Sequence, residues 1–139
     1  MSFVLDSSVS MRWLFGDGRP QDIGYASSVL VAMENVSAIV PVTWGLEVAN
    51  VIARAESRDL MTEARSQTFL DMLKRAAIEV DMATFAYALS DTLQLMRRYR
   101  LSAYDASYLE LALRLDLPLA TLDENLQKAM TKAGVKKFV

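Results

Sequence analysis

Short apolar runs alternate with longer segments of helical character along the whole chain, and that alternation limits the architectures open to it. The strand-like runs fall at residues 3–5, 38–40, 78–80, 119–122 and 135–139, apolar but for Glu79, Thr121, Lys136 and Lys137. The segments between them predict helices over residues 8–15, 22–34, 44–57, 62–77, 83–99, 102–115 and 125–133. In the longest of these, Phe85, Leu89, Leu93 and Met96 mark an apolar stripe. Gly134 reads as a helix C-cap. Strands separated by helices point to an α/β domain with a mainly parallel sheet flanked by helices. The 139 residues suit one such domain, spanning residues 1–139.

Composition then narrows the chemistry. The chain has neither cysteine nor histidine. That removes thiolate nucleophiles, zinc–cysteine sites, imidazole acid–base chemistry and histidine-bound transition metals. A metal here must accept oxygen ligands, which favours Mg²⁺, Mn²⁺ or Ca²⁺. A formal net charge of -2 excludes a polycation that coats nucleic acid, yet leaves room for a local basic stripe. The loop at residues 16–22 holds a Gly-x-Gly, but no third glycine opens a helix and no Gly-Lys pair occurs. The start of the chain reaches Asp6 at once, unlike a secretory signal. The longest uncharged run, residues 35–46, is interrupted by Pro41 and is shorter than the ~20 residues of a membrane span. A soluble, cytoplasmic protein with no membrane attachment is expected.

Ligand sites in open parallel sheets form outside the carboxyl ends of the strands. Asp6 directly follows the first apolar run, and Asp123 directly follows the run at 119–122. Glu47 lies in the first turns of the helix after the second run, and Asp105 in the first turn of the helix leading to the fourth. Each acid also has a structural explanation. Asp6 and Asp123 are placed to cap the helices that follow them. Ser102-Ala103-Tyr104-Asp105 is similar to a capping box. Glu47 shares its stripe with Trp44, Val48, Val51 and Ile52, where a carboxylate needs a metal or a partner such as Arg12 or Arg54. Acids gathered on one sheet edge repel, and a divalent cation is the usual answer.

In order along the chain, four segments resemble the PIN-domain proteins, and most of all the VapC group of toxin ribonucleases from bacterial toxin–antitoxin pairs. They are Phe3-Val4-Leu5-Asp6-Ser7-Ser8-Val9, Val42-Thr43-Trp44-Gly45-Leu46-Glu47-Val48-Ala49-Asn50, Leu101-Ser102-Ala103-Tyr104-Asp105-Ala106-Ser107-Tyr108 and Leu117-Pro118-Leu119-Ala120-Thr121-Leu122-Asp123-Glu124-Asn125-Leu126. The closing Ala133-Gly134-Val135 also fits. The resemblance implies a three-layer PIN-like fold and a metal-dependent endoribonuclease. It implies that Asp6, Glu47, Asp105 and Asp123 hold one or two Mg²⁺ or Mn²⁺ ions and carry the catalysis. It makes Ser7 and Thr121 hydroxyl helpers; Asn125 is a weaker candidate, with the start of its helix as the alternative reading. It further implies a homodimer and a small antitoxin protein that blocks the acidic pocket.

Phosphodiester hydrolysis suits this inventory, because a metal and carboxylates can activate water and neutralise the leaving oxygen without histidine. An RNA substrate calls for cations around the acids. Arg12 follows Asp6 on its helix, Arg54 and Arg58 extend the Glu47 helix, and Arg97, Arg98 and Arg100 cluster before Asp105. Arg12, Arg97 and Arg98 are the candidate phosphate contacts, against the alternative of a plain solvated helix face. Lys128, Lys132, Lys136 and Lys137 make the end of the chain basic. Other readings are a PIN-like nuclease of RNA processing outside any toxin pair, a PIN-like binding scaffold, and a phosphoryl-accepting receiver-like domain. The receiver-like reading lacks an acid next to Asp6 and a suitably placed lysine. A haloacid-dehalogenase-like phosphatase needs a second Asp where Ser8 stands.

Overall fold

The computed structural model describes residues 1–139. Four strands form one sheet: β1 (Ser2–Leu5), β2 (Ser37–Pro41), β3 (Ile78–Asp81) and β4 (Leu119–Ala120). Their order is β3-β2-β1-β4 and every pairing is parallel. Val4 of the central strand pairs with Ile39 on one side and Leu119 on the other. Phe3, Val4 and Leu5 are fully buried, as a strand covered by helices on both faces requires.

The alternation of side chains along the strands distributes them between two helical layers. Val4 and Leu119 pack against α7 (Ala103–Leu115) and α8 (Glu124–Lys132). Phe3, Leu5, Ala38, Val40 and Ala120 point the other way, onto α1 (Ser7–Leu14) and α2 (Pro20–Ala32). A third cluster joins α1 to α3 (Thr43–Ser57) and α4 (Glu63–Arg75) through Leu14, Ile52 and Phe69. The result is the expected three-layer α/β sandwich.

Two expectations need correction. The helix expected over residues 83–99 is three pieces: α5 (Thr84–Tyr87), a π-helical stretch (Ala88–Thr92) and α6 (Leu93–Tyr99). The wider π turn rotates the helix face. Phe85 and Leu89 therefore leave the stripe they were expected to share with Leu93 and Met96, and stand 90% and 88% exposed. The strand expected at 135–139 is reduced to one bridge between Leu119 and Lys137, since β4 offers only two residues to pair with. Phe138 nevertheless anchors this end by stacking on Phe3, ring centroids 3.8 Å apart. Gly134 takes a φ of 80° after α8, as its cap role predicts.

The sheet order fixes where a site can form. The chain moves outward from β1 to β2 to β3, then returns past β1 to place β4 on its other side. The reversal of direction lies between β1 and β4, and a crevice opens there at the carboxyl ends.

Candidate functional site

Asp6 leaves the carboxyl end of β1 and Asp123 follows β4, so the two flank the point of reversal. Glu47 comes in from the second turn of α3, and Asp105 from the first turn of α7. All four carboxylates line one cleft, together with Ser7, Ser8 and Arg12. As the side chains stand, no three acids come together as a formed metal-ligand group.

Asp6 is buried, and its carboxylate makes no capping bond to α1, although it occupies the cap position. Its Oδ2 accepts hydrogen bonds from Ser8 Oγ at 2.6 Å and Thr121 Oγ1 at 2.7 Å. Ser8 and Thr121 in turn accept from the backbone N–H groups of Leu122 and Asp123, tying the β4 exit to the β1 exit. Glu47 Oε1 accepts from the Tyr108 hydroxyl at 2.7 Å, and Oε2 from Ser7 Oγ at 3.2 Å. Asp123 Oδ1 caps α8 by accepting from Leu126 N–H at 2.8 Å. Asp105 donates its own N–H to Ser102 Oγ, so Ser102 performs the capping and the Asp105 side chain faces the cleft.

The electrostatics of this cleft are unusual for a folded chain. Burial pushes Asp6 up to about 6 against the lowering effect of its hydroxyl donors, and the charges of Glu47 and Asp123 add to the rise. Burial also pushes Asp105 up to about 6, with Asp123 and Asp6 adding to it, and raises Glu47. Burial, then the nearby Asp6 and Glu47 charges, hold the Tyr108 phenol well above its ordinary value. None of the four site acids is in an ion pair. The chain's other two largely buried acids are compensated: Asp81 and Glu110 share Arg114, at 2.7 and 2.9 Å. The expected alternative for Glu47, a partnership with Arg12 or Arg54, does not occur. Arg12 instead bonds Asp17 at 2.6 Å. An oxygen-only donor set with repelling, uncompensated charges fits a hard divalent cation.

The structure divides the other candidates. Ser7 and Thr121 bond the acids Glu47 and Asp6, and Arg12 lines the cleft. Arg97 and Arg98 do not line it; Arg98 joins Arg100 and Asn125 around a separate hollow. Sequence reasoning missed Ser8, Tyr108 and Asp22, the last of which lines the cleft while paired to Arg19. Tyr108 had a signal, because it stands three residues after Asp105 and so shares its helix face.

The PIN domain family profile matches residues 3–131. No curated protein matches the chain. Among solved structures, the chain is similar to VapBC2 from Rickettsia felis, bound to a DNA fragment from its promoter, with a TM-score of 0.69 at 10% identity over 99% of this chain and 98% of that one. It is similar to PAE2754 from Pyrobaculum aerophilum, with a TM-score of 0.65 at 19% identity over 93% and 79%. It is also similar to FitAcB from Neisseria gonorrhoeae, with a TM-score of 0.57 at 17% identity over 100% and 97%.

Proposed function

The chain belongs to the PIN domain family, and on that footing we propose that it is a metal-dependent endoribonuclease acting as the toxin of a toxin–antitoxin pair. One observation carries the reading: four carboxylates line a cleft at the sheet's reversal point and none of them is in an ion pair, since Arg12 of the same cleft is taken by Asp17. Asp6, Glu47, Asp105 and Asp123 would hold Mg²⁺ or Mn²⁺. When bound, such an ion lowers the pKa of water and neutralises charge on the leaving oxygen. The chain's own groups then orient the acids. Ser8 and Thr121 fix one oxygen of Asp6, while Ser7 and Tyr108 fix both oxygens of Glu47. Without an ion, burial and the neighbouring Asp123 and Asp6 raise Asp105 to about 6; a bound cation would hold it ionised.

The toxin role draws support from the sequence resemblance to the VapC group and from the fold's likeness to VapBC2. A groove continues from the acid cleft, sharing Arg12 and Val51 with it, and is walled by Phe15, Met61, Arg54 and Arg58. An antitoxin segment with apolar anchors and acidic residues suits that lining, and its basic side chain would plug the four acids. Met82, Phe85 and Leu89, all more than three-quarters exposed, form the face proposed for a homodimer. A monomer by analytical ultracentrifugation at all concentrations would remove the dimer from the reading. No helix is long and apolar enough to cross a membrane, which agrees with the proposed cytoplasmic location.

The direct test incubates the purified protein with RNA and Mg²⁺ or Mn²⁺. Cleavage that stops with a chelator and is lost in folded Asp6→Asn supports the proposal. Equal cleavage by that variant overturns the site. Growth arrest on expression, relieved by a co-expressed partner, supports the toxin role, and absence of arrest argues for a nuclease of RNA processing.

A further inference from the structure

Four cations gather around one hollow and none is in an ion pair, with Glu124 the carboxylate of the adjoining hollow that Lys128 and Lys132 also line. Arg98 and Arg100, at the end of α6, face Lys128 and Lys132 of α8 across one hollow, with Tyr99 and Asn125 completing its walls. No carboxylate lines the hollow itself. The sequence separates the two arginines from the two lysines by about thirty positions, and the packing of α7 against both α6 and α8 brings them together. Arg100 holds a left-handed φ of 54°. It closes α6 in the left-handed C-cap conformation that Asp116 gives α7. Lys128 and Lys132 are four apart and share one face of α8. Asp123 caps the start of that same helix. At ~1.5 Å per residue the two lysines stand about 7.5 and about 13.5 Å along its axis from the acid.

We propose that this hollow is a phosphate-backbone site, which holds the RNA strand on one side of the cut made at the acids. The two guanidinium forks suit phosphate oxygens, and the two ammonium groups act as point charges beside them. Such contacts position a strand without reading its bases. A protein partner is a poorer occupant, because Tyr99 and Ala129 are the only apolar residues in the lining and offer no deep anchor. The direction of the strand rests on the nuclease reading; the binding itself does not.

The test measures binding of a labelled single-stranded RNA to the full chain by fluorescence anisotropy, with chelator present so that nothing is cut. Arg98→Glu combined with Lys128→Glu is compared with a control of equal charge change, Lys74→Glu with Arg75→Glu, at the far end of α4. Thermal unfolding checks the fold, and the milder Arg98→Gln with Lys128→Gln serves if the reversal unfolds. The expected result is a loss of about tenfold or more in affinity and a salt slope shallower by about 1.4, at about 0.7 per lost contact. The control stays within about twofold of the wild type, since those residues make no phosphate contact. An unchanged hollow variant, an equal loss in the control, or no RNA binding by the wild type overturns the proposal. Binding as expected without cleavage under any metal leaves the hollow standing and defeats the nuclease reading. Cleavage with an unaffected hollow variant does the reverse.

Discussion

Tyr108 donates its hydroxyl hydrogen to Glu47 Oε1 at 2.7 Å, joining two helices across 61 positions of the chain. Tyr108 is itself fully buried, so its ring is fixed by packing and its hydroxyl has one direction to point. With Ser7 on the other oxygen, Glu47 is held in one orientation before any ligand arrives.

Removing that hydroxyl should therefore loosen the site without breaking the core. Tyr108→Phe is expected to weaken Mn²⁺ binding by about 10–100-fold, the range for groups that orient a ligand from behind. Calorimetric titration of Mn²⁺ without RNA measures this directly, and a near-native unfolding midpoint excludes a general loss of structure. Unchanged Mn²⁺ affinity would mean that Glu47 does not need its tyrosine.

Asp6→Asn separates charge from shape at the centre of the cleft. Asparagine keeps an oxygen for Ser8 and Thr121 while removing a buried carboxylate whose ionisation is opposed by burial and by Glu47 and Asp123. RNA cleavage should fall more than about 100-fold, beyond the range of supporting groups. The metal-free protein should at the same time gain stability at neutral pH, on the order of 1–3 kcal/mol. Denaturant titration in chelator measures the second effect, and a destabilised variant would show that the Asp6 charge is compensated after all.

The acids were legible in the sequence because each lies after an apolar run or at a helix start, where chain order alone sets position. The layers were legible too, since Val4 and its neighbours Phe3 and Leu5 alternate between them. Ser8 and Tyr108 were not. Tyr108 reads as a core residue, and only the closure of α7 onto α3 shows that its hydroxyl meets a carboxylate. The π turn at Ala88–Thr92 is a matter of backbone hydrogen bonding that side-chain periodicity does not record. The hollow of Arg98, Arg100, Lys128 and Lys132 needed two distant helices to be seen as one surface.

The raised carboxyls set a pH dependence whose sign changes with metal. Asp6 and Asp105 stand at about 6 in the folded chain against an ordinary 3.8, so the folded state binds more protons than the unfolded state between those values. Stability of the metal-free protein should thus fall as pH rises from about 4 to about 6, and level off above. Glu47 is raised as well and acts in the same direction. Saturating Mn²⁺ binds the ionised carboxylates and should reverse the slope. Denaturation midpoints across this window, with chelator and with Mn²⁺, read both arms. Parallel curves in the two conditions would show that no ion joins these acids.

Arg114 supplies the contrast that gives the uncompensated cleft its meaning. Its guanidinium bonds both oxygens of Asp81 and both of Glu110, and Asp81 above all raises its pKa further. Tyr87 lies against the same group, 4.6 Å from ring centroid to guanidinium. Arg114→Met strands two largely buried carboxylates, and should destabilise the protein by about 3 kcal/mol. Adding Asp81→Asn and Glu110→Gln removes the stranded charges and should recover most of the loss, because the penalty lies in unpaired charge rather than in lost contact. Mn²⁺ should not rescue Arg114→Met by more than it stabilises the wild type, since the Asp81–Glu110 pair took a protein cation and the cleft did not. Chemical denaturation of the three forms, with and without Mn²⁺, measures each step. Selective rescue by Mn²⁺ would show that the two acid clusters are interchangeable, and the case for a dedicated metal cleft would fall with that result.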